Sequence, residues 1–247
     1  MKDLIVSAGK MMLEGSFAVH GKEGMANFVT DKDVEIQKYL IRELSERYPG
    51  CGFYGEEDTE GNQHESRGQC FYIDPIDGTT NYIFGYNHSC VSVGESIDGK
   101  MAAGYVYNPF TDEYYEARRG EGARLNGREL RIRDRGLGEG IVAFGCARYN
   151  EGDRVFRVLE ELFMRSLSIR NGGSAALDLC RIAKGSNVGY VEMKLQPYDY
   201  AAASVIIEEA GGEITTAEGR EITLDGPCSI VAGTKAAAKE IRRILGC

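Results

Sequence analysis

Ile73-Asp74-Pro75-Ile76-Asp77-Gly78-Thr79-Thr80-Asn81 is the stretch on which the reading of this 247-residue chain turns. Phe71-Tyr72-Ile73 just before it has the aromatic and β-branched character of a strand. Pro75 fixes the backbone after Asp74, and Gly78-Thr79-Thr80 can open a helix, so both carboxylates sit at a strand end facing helix N–H groups. Two acids and an anion-binding helix start in one pocket suit hard divalent cations such as Mg²⁺, which take carboxylate oxygens and leave room for water and a substrate phosphate. Taken alone, the same residues also make an ordinary surface Asp-Pro/Asp-Gly turn.

Two further acidic segments extend the pattern. Phe53-Tyr54-Gly55-Glu56-Glu57-Asp58 sets three acids after a short aromatic strand, where like charges repel unless they are solvated or hold a cation. Tyr198-Asp199-Tyr200-Ala201-Ala202-Ala203 places one acid at the start of an Ala-rich helix, where it serves equally well as an N-terminal cap. His20, His64 and His88 show neither metal-ligand nor triad spacing and read as surface or structural residues.

Around these segments the first half mixes helix and antiparallel strand. Val34, Ile36, Leu40, Ile41 and Leu44 recur at helical spacing from Asp31 to Tyr48, behind a Thr30/Asp33 start and ahead of Pro49-Gly50. Val91 to Ile97 and Met101 to Tyr107 flank an Asp98-Gly99-Lys100 turn, and Tyr114 to Arg118 and Arg124 to Leu130 are further strands. After a charged, Gly-rich seam at Arg133 to Gly140 the rhythm becomes alternating strand and helix, which predicts α/β layering. The seam divides an N-terminal α+β half, residues 1–135, from a C-terminal α/β half, residues 136–247.

Composition narrows the function classes. With 38 acidic and 29 basic residues, a net charge of −9 argues against nucleic acid or an anionic membrane as partner. An anionic substrate then needs local cations. No apolar run approaches the ~20 residues that span a bilayer, and no secretion signal is read at the N-terminus. Seven scattered cysteines without a C-x-x-C pair read as reduced thiols of a cytoplasmic protein.

Gly55-Glu56-Glu57, Asp74 to Asn81 and Asp199 at the head of an Ala-rich helix, in that order, resemble the inositol monophosphatase family of metal-dependent sugar phosphatases. The resemblance runs along nearly the whole chain, through Lys22, Thr30-Asp31, Arg119 to Ala123, Asn126-Gly127, Gly173-Ser174-Ala175-Ala176 and Glu192. It implies a layered αβαβα sandwich, usually dimeric, that hydrolyses phosphomonoesters of inositol or related sugars with two or three Mg²⁺ ions and is sensitive to Li⁺. Carried over residue by residue, it implies one metal on Glu57, Asp74 and the Ile76 carbonyl and a second on Asp74, Asp77 and Asp199. Glu57 and Thr79, the latter supported by Asp31, would place the attacking water. Gly78 and Thr79 N–H groups would hold phosphate oxygens, with Gly173, Ser174, Ala175 and Glu192 facing the alcohol. The dimer would bury part of the Val91–Ile97 and Met101–Tyr107 surface.

The chain departs from the family pattern at Tyr198, Tyr200 and Ala203, which bears on substrate fit near that helix. Inositol-1-phosphate or a related small polyol phosphate is the first substrate expectation and fructose-1,6-bisphosphate the second. A nucleotide 3′-phosphate comes third, because Thr80 stands where nucleotide enzymes of this fold carry Lys. A catalytically silent scaffold is the rival from another class, and retention of the metal carboxylates argues against it.

Overall fold

The computed structural model describes residues 1–21, 28–57, 68–146 and 152–246, with only the backbone for 152–155. Lys22, Asp58 and His64 therefore lie outside the described residues. Among those described, the elements run α1 (Lys2–Met11), β1 (Val19–Gly21), β2 (Phe28–Thr30), α2 (Asp31–Arg47), β3 (Gly52–Gly55), β4 (Gln69–Asp77) and α3 (Thr79–Ile83). They continue with β5 (Cys90–Ile97), β6 (Lys100–Asn108), β7 (Glu113–Arg118), β8 (Gly122–Leu125), β9 (Arg128–Leu130) and β10 (Ile141–Phe144). The remainder is α4 (Gly152–Arg165), β11 (Ser168–Arg170), α5 (Ala175–Ala183), β12 (Asn187–Leu195), α6 (Pro197–Glu209), β13 (Glu213–Thr215), β14 (Cys228–Gly233) and α7 (Lys235–Leu245).

A seven-stranded sheet runs β3-β4-β5-β6-β7-β8-β9 and a five-stranded sheet β11-β10-β12-β14-β13. The first is antiparallel except for the β3/β4 pair. Its Asp98-Gly99 and Asn126-Gly127 turns each have φ positive at both residues, as a two-residue hairpin loop with the strands' own twist requires. α2 presents Ile36, Leu40, Ile41 and Leu44 to this sheet beside Leu4, Ile5 and Ala8 of α1. Each such large aliphatic residue contributes roughly 1.5–3 kcal/mol on burial.

α5 and α6 fill the space between the two sheets, and α4 and α7 cover the outer face of the five-stranded one. The layers are αβαβα, as the resemblance implies. α6 is buried on almost every side from Tyr200 to Ile207, which explains its lack of polar spacing. Its alanines meet glycines. A Cβ on Gly104 would lie 2.0 Å from the Ala202 carbonyl, and one on Gly94 would lie 2.9 Å from the Ala201 Cβ.

The dimer face expected at Val91–Ile97 and Met101–Tyr107 is corrected here. β5 is buried from Cys90 to Ser96, and most of β6 is buried too, because helices cover both sides of the strands.

Candidate active site

β4 delivers the two motif aspartates. Asp74 pairs with Ser92 of β5 and Asp77 with Cys90, so three steps on one strand oppose two on the other. This bulge contains Pro75, which has no N–H to give to a ladder. Without it, residues three apart would face opposite sides of the sheet. With it, one carboxylate oxygen each from Asp74, Asp77 and Asp199 lies within 4.8 Å of the other two. Asp199 stands in the first turn of α6, where an oxygen of its carboxylate accepts the Gln196 N–H at 2.7 Å. The capping role and the clustering role therefore coexist.

These acids are crowded. Burial raises Asp74 well above the usual carboxylate range, and the charges of Glu56, Asp77, Asp199 and Asp33 raise it further. Burial raises Asp199 strongly as well, followed by the charges of Asp77 and Glu56. Asp77 is raised by burial and steadied by Ser174 Oγ at 2.6 Å and the Ala176 N–H at 2.7 Å. Three oxygen donors converging where the strongest neighbouring charges are other acids fit a hard divalent cation, whose charge removes the repulsion.

Two expected positions are corrected. Asp31 does not support Thr79: it pairs with His20 at 2.7 Å on the exposed surface. Asp33 takes that place, with its Oδ1 3.2 Å from the Thr79 hydroxyl. The reason is a capping box, in which Thr30 N–H and Oγ1 both donate to Asp33 Oδ2, at 2.7 and 2.6 Å, fixing the carboxylate at the helix start. Glu57 does not lead the charges on Asp74 and Asp199. It acts on Asp33, and its backbone is held on both sides by the Gln37 amide at 3.0 and 2.7 Å. Glu56 is the neighbouring acid whose charge raises Asp74 and Asp199. Strand alternation explains this: Tyr54 and Glu56 share a face, and the Tyr54 ring lies 6.0 Å from that of Tyr198, tilted by 38°, with Tyr198 the residue before Asp199.

The other expected residues gather around the cluster. The Ile76 carbonyl accepts from the Thr79 hydroxyl at 3.1 Å, an alternative to Asp33 for its single proton. Gly78, with φ of 88°, has no room for a side chain, since a Cβ would sit 3.0 Å from the Gly173 and His88 carbonyls. A cavity of about 220 Å³ is lined by Asp77, Asp199, Gly173, Ser174, Ala175 and Glu192, among others. Burial pushes Glu192 up to about 7, partly offset by a hydrogen bond from the Tyr190 hydroxyl. Tyr190 and Gly145 were missed by sequence reasoning. A Cβ on Gly145 would collide with the Glu192 carboxylate, so this glycine makes the space it occupies. Tyr200 donates its hydroxyl to the Thr223 carbonyl, away from the cavity.

The sequence profile of the inositol monophosphatase family matches residues 4–246. The chain is 34% identical over 228 residues to an inositol-1-monophosphatase of Bacillus subtilis, covering 92% of this chain and 86% of that one. It superposes on the extragenic suppressor protein suhB of Bartonella henselae with a TM-score of 0.92 at 32% identity, covering 99% and 96% of the two chains. On the Staphylococcus aureus inositol monophosphatase II bound to inositol monophosphate the TM-score is 0.84 at 29% identity, covering 98% and 90%. The profile match along nearly the whole chain, the shared fold and the carboxylate cluster agree: this chain belongs to the inositol monophosphatase family of metal-dependent phosphomonoesterases.

Proposed function

We propose that the chain hydrolyses inositol-1-phosphate or a closely related small polyol phosphate with Mg²⁺ as its metal. The observation that carries this reading is the convergence of Asp74, Asp77 and Asp199 beside a cavity that also holds Glu192. At about 220 Å³ the cavity is smaller than the roughly 300–1,000 Å³ of pockets for drug-sized ligands, which favours a single polyol ring over a dinucleotide. Its described lining carries no lysine or arginine for a second phosphate, which disfavours a sugar bisphosphate. The names of the Bacillus relative and of the Staphylococcus complex support the same substrate class.

In this reading Asp74, Asp77 and Asp199, joined by Glu56 and the Ile76 carbonyl, hold two or three Mg²⁺ ions. Bound Mg²⁺ supplies positive charge for the phosphate and lowers the pKa of water. Thr79 turns its hydroxyl proton toward Asp33 Oδ1, leaving its oxygen to accept from and orient the attacking water. Glu56 takes a proton from that water as the water oxygen bonds to phosphorus, and the electron pair of the breaking ester P–O bond goes to the alcohol oxygen, which takes up a proton from solvent water to leave as the free alcohol. Gly78 and Thr79 N–H groups hold phosphate oxygens at the start of α3. Gly173, Ser174 and Ala175 face the polyol, and Glu192 accepts from its hydroxyls when ionised.

The chain is further proposed to act in the cytoplasm as a homodimer sensitive to Li⁺. The six described cysteines are all free thiols, and no described helix is long and apolar enough to cross a membrane. Phe156, Phe163, Met164 and Leu167 are each at least 62% exposed on one side of α4 and its exit, a face suited to a second copy. Light scattering should give twice the 27.2 kDa chain mass, and Phe163→Glu should lower it.

A phosphate-release panel tests the substrate. Inositol-1-phosphate should turn over fastest among inositol-1-phosphate, fructose-1,6-bisphosphate, a nucleoside 3′,5′-bisphosphate and NADP. Preference for either nucleotide would overturn the assignment.

A further inference from the structure

His88 takes no part in the chemistry above, yet it lies directly behind the substrate-side turn. It is buried, at 7% exposure, in the loop between α3 and β5. Arg181 of α5 sets its Nη2 3.3 Å from His88 Nδ1. A guanidinium only donates, so Nδ1 accepts and a neutral ring keeps its proton on Nε2. Among the described residues Nε2 has no hydrogen-bond partner, and it faces Asp178 Oδ1 at 3.5 Å, a charge–dipole contact in a region closed to water. Asp178 Oδ2 in turn accepts the Gly172 N–H at 3.0 Å. The Gly172 carbonyl accepts from Asn81 Nδ2 at 2.8 Å, and the same amide donates to the His88 carbonyl at 2.8 Å.

His88, Asp178, Gly172 and Asn81 thus close a ring around the Gly172-Gly173-Ser174 turn, and Arg181 braces it from outside at His88. The ring has no slack toward the phosphate side, because the His88 and Gly173 carbonyls already fill the space where Gly78 would carry a Cβ. At its far end Ser174 donates to Asp77 at 2.6 Å.

We propose that His88 is a positioning residue of the active site, fixing the Gly172–Ser174 turn through Asp178 and, through Ser174, the orientation of the Asp77 carboxylate. The inference rests on Asp77 being a metal-facing carboxylate. A residue that only fills space would leave Asp77 and the Gly172 amide undisturbed when replaced by another ring of similar size. A positioning residue would not.

The test compares wild type, His88→Phe and His88→Gln in the full-length chain by Mg²⁺ calorimetry and by amide exchange of Gly172 in metal-free protein. Residues that orient metal ligands typically alter metal affinity by 10–100-fold, and His88 acts at one further remove. His88→Phe should therefore weaken Mg²⁺ binding about tenfold and speed Gly172 exchange. His88→Gln keeps a donor toward Asp178 and should recover to within about threefold of wild type. Unchanged Mg²⁺ affinity and Gly172 exchange in His88→Phe overturn the proposal. If His88→Phe does not fold, Arg181→Met, at a partly exposed position, removes the Nδ1 partner. Weaker Mg²⁺ binding there supports the proposal, and a wild-type value overturns it. No substrate enters these measurements. A wild-type protein that binds no Mg²⁺ sinks the metal reading itself, whereas intact wild-type binding with indifferent variants sinks only the role of His88.

Discussion

Asp77 and Asp199 form one wall of the cavity with Asp74 beside them, and the charges of those two raise Asp74 as that of Asp77 raises Asp199. Another is made of Glu192, held by the Tyr190 hydroxyl in space left by Gly145. The first wall crowds like charges together, a repulsion that a cation between its members removes. The second is complete as it stands, a single carboxyl with its own donor. On the proposed function, metal dependence and recognition of the alcohol are thus separable properties of adjoining surfaces, and substitutions should divide along the same line.

The largest effect is expected on the repulsive wall. Asp199→Asn should lower turnover by more than about 10³-fold and weaken Mg²⁺ affinity, with excess Mg²⁺ restoring part of the rate. Calorimetry that finds wild-type affinity would leave Asp199 as a helix cap alone. Chelation should abolish activity while circular dichroism shows the fold largely intact.

Thr79→Ala tests the hydroxyl held beside the first wall by Asp33 and the Ile76 carbonyl. Loss of a hydroxyl that orients water should cost about 10²–10³-fold in kcat with Mg²⁺ affinity unchanged, and added Mg²⁺ should give no rescue. Rescue would mean that Thr79 belongs to the metal-holding wall.

A smaller, paired effect separates the two aspartates of α2. Asp33→Asn should lower kcat about tenfold and cost about 1 kcal/mol in a urea melt, because it loosens both Thr79 and the Thr30 box. Asp31→Asn should stay within about twofold of wild type in rate. Equal losses from both would remove the distinction drawn between them.

The smallest effect belongs to the self-contained wall. Glu192→Gln should raise KM for inositol-1-phosphate a few-fold with kcat little changed. It should also alter the pH dependence of stability in metal-free protein. The folded-state pKa of Glu192, about 7, lies above the ordinary 4.5, so the native state binds the extra proton between those values. The group's contribution is favourable below pH 4.5 and is lost as pH rises through 7, by on the order of 3 kcal/mol. Melts from pH 5 to 8 should show this decline in wild type and a shallower one in Glu192→Gln.

How much of this was legible in the sequence depends on the kind of signal. The two hairpins announced themselves through Asp98-Gly99 and Asn126-Gly127, residues that tolerate positive φ, and α2 through its apolar spacing. The layered fold was implied by the family resemblance that the acidic motifs carry. Choosing between Glu56 and Glu57, or between Asp31 and Asp33, was harder because each pair offers the same chemistry one or two residues apart. Only the alternation of β3 and the capping geometry of Thr30 decide, and both depend on which face is covered. Val91–Ile97 interleaves Val91 and Val93 with Ser92, Gly94, Glu95 and Ser96, a pattern of a half-covered strand, so the burial of both its faces under helices was not legible and it reads as a dimer surface. Tyr190 and Gly145 left no signal, since their part is to shape the space around a residue far away in sequence.

The seam where Ala201 and Ala202 lie flush against Gly94 and Gly104 bears on how stiff the metal cluster is. β5, which carries Gly94, is the strand hydrogen-bonded to β4, and Ala201 follows Asp199 by two residues. Asp74, Asp77 and Asp199 are therefore surveyed from one common datum, the β4–β5 pair, although they come from distant parts of the chain. Flexing of the Arg133–Gly140 connection does not enter their spacing. A bulkier side chain at Gly94 or Gly104 would reset the geometry of all three acids without touching any of them, and such positions are where long-range sensitivity of the metal site is to be sought.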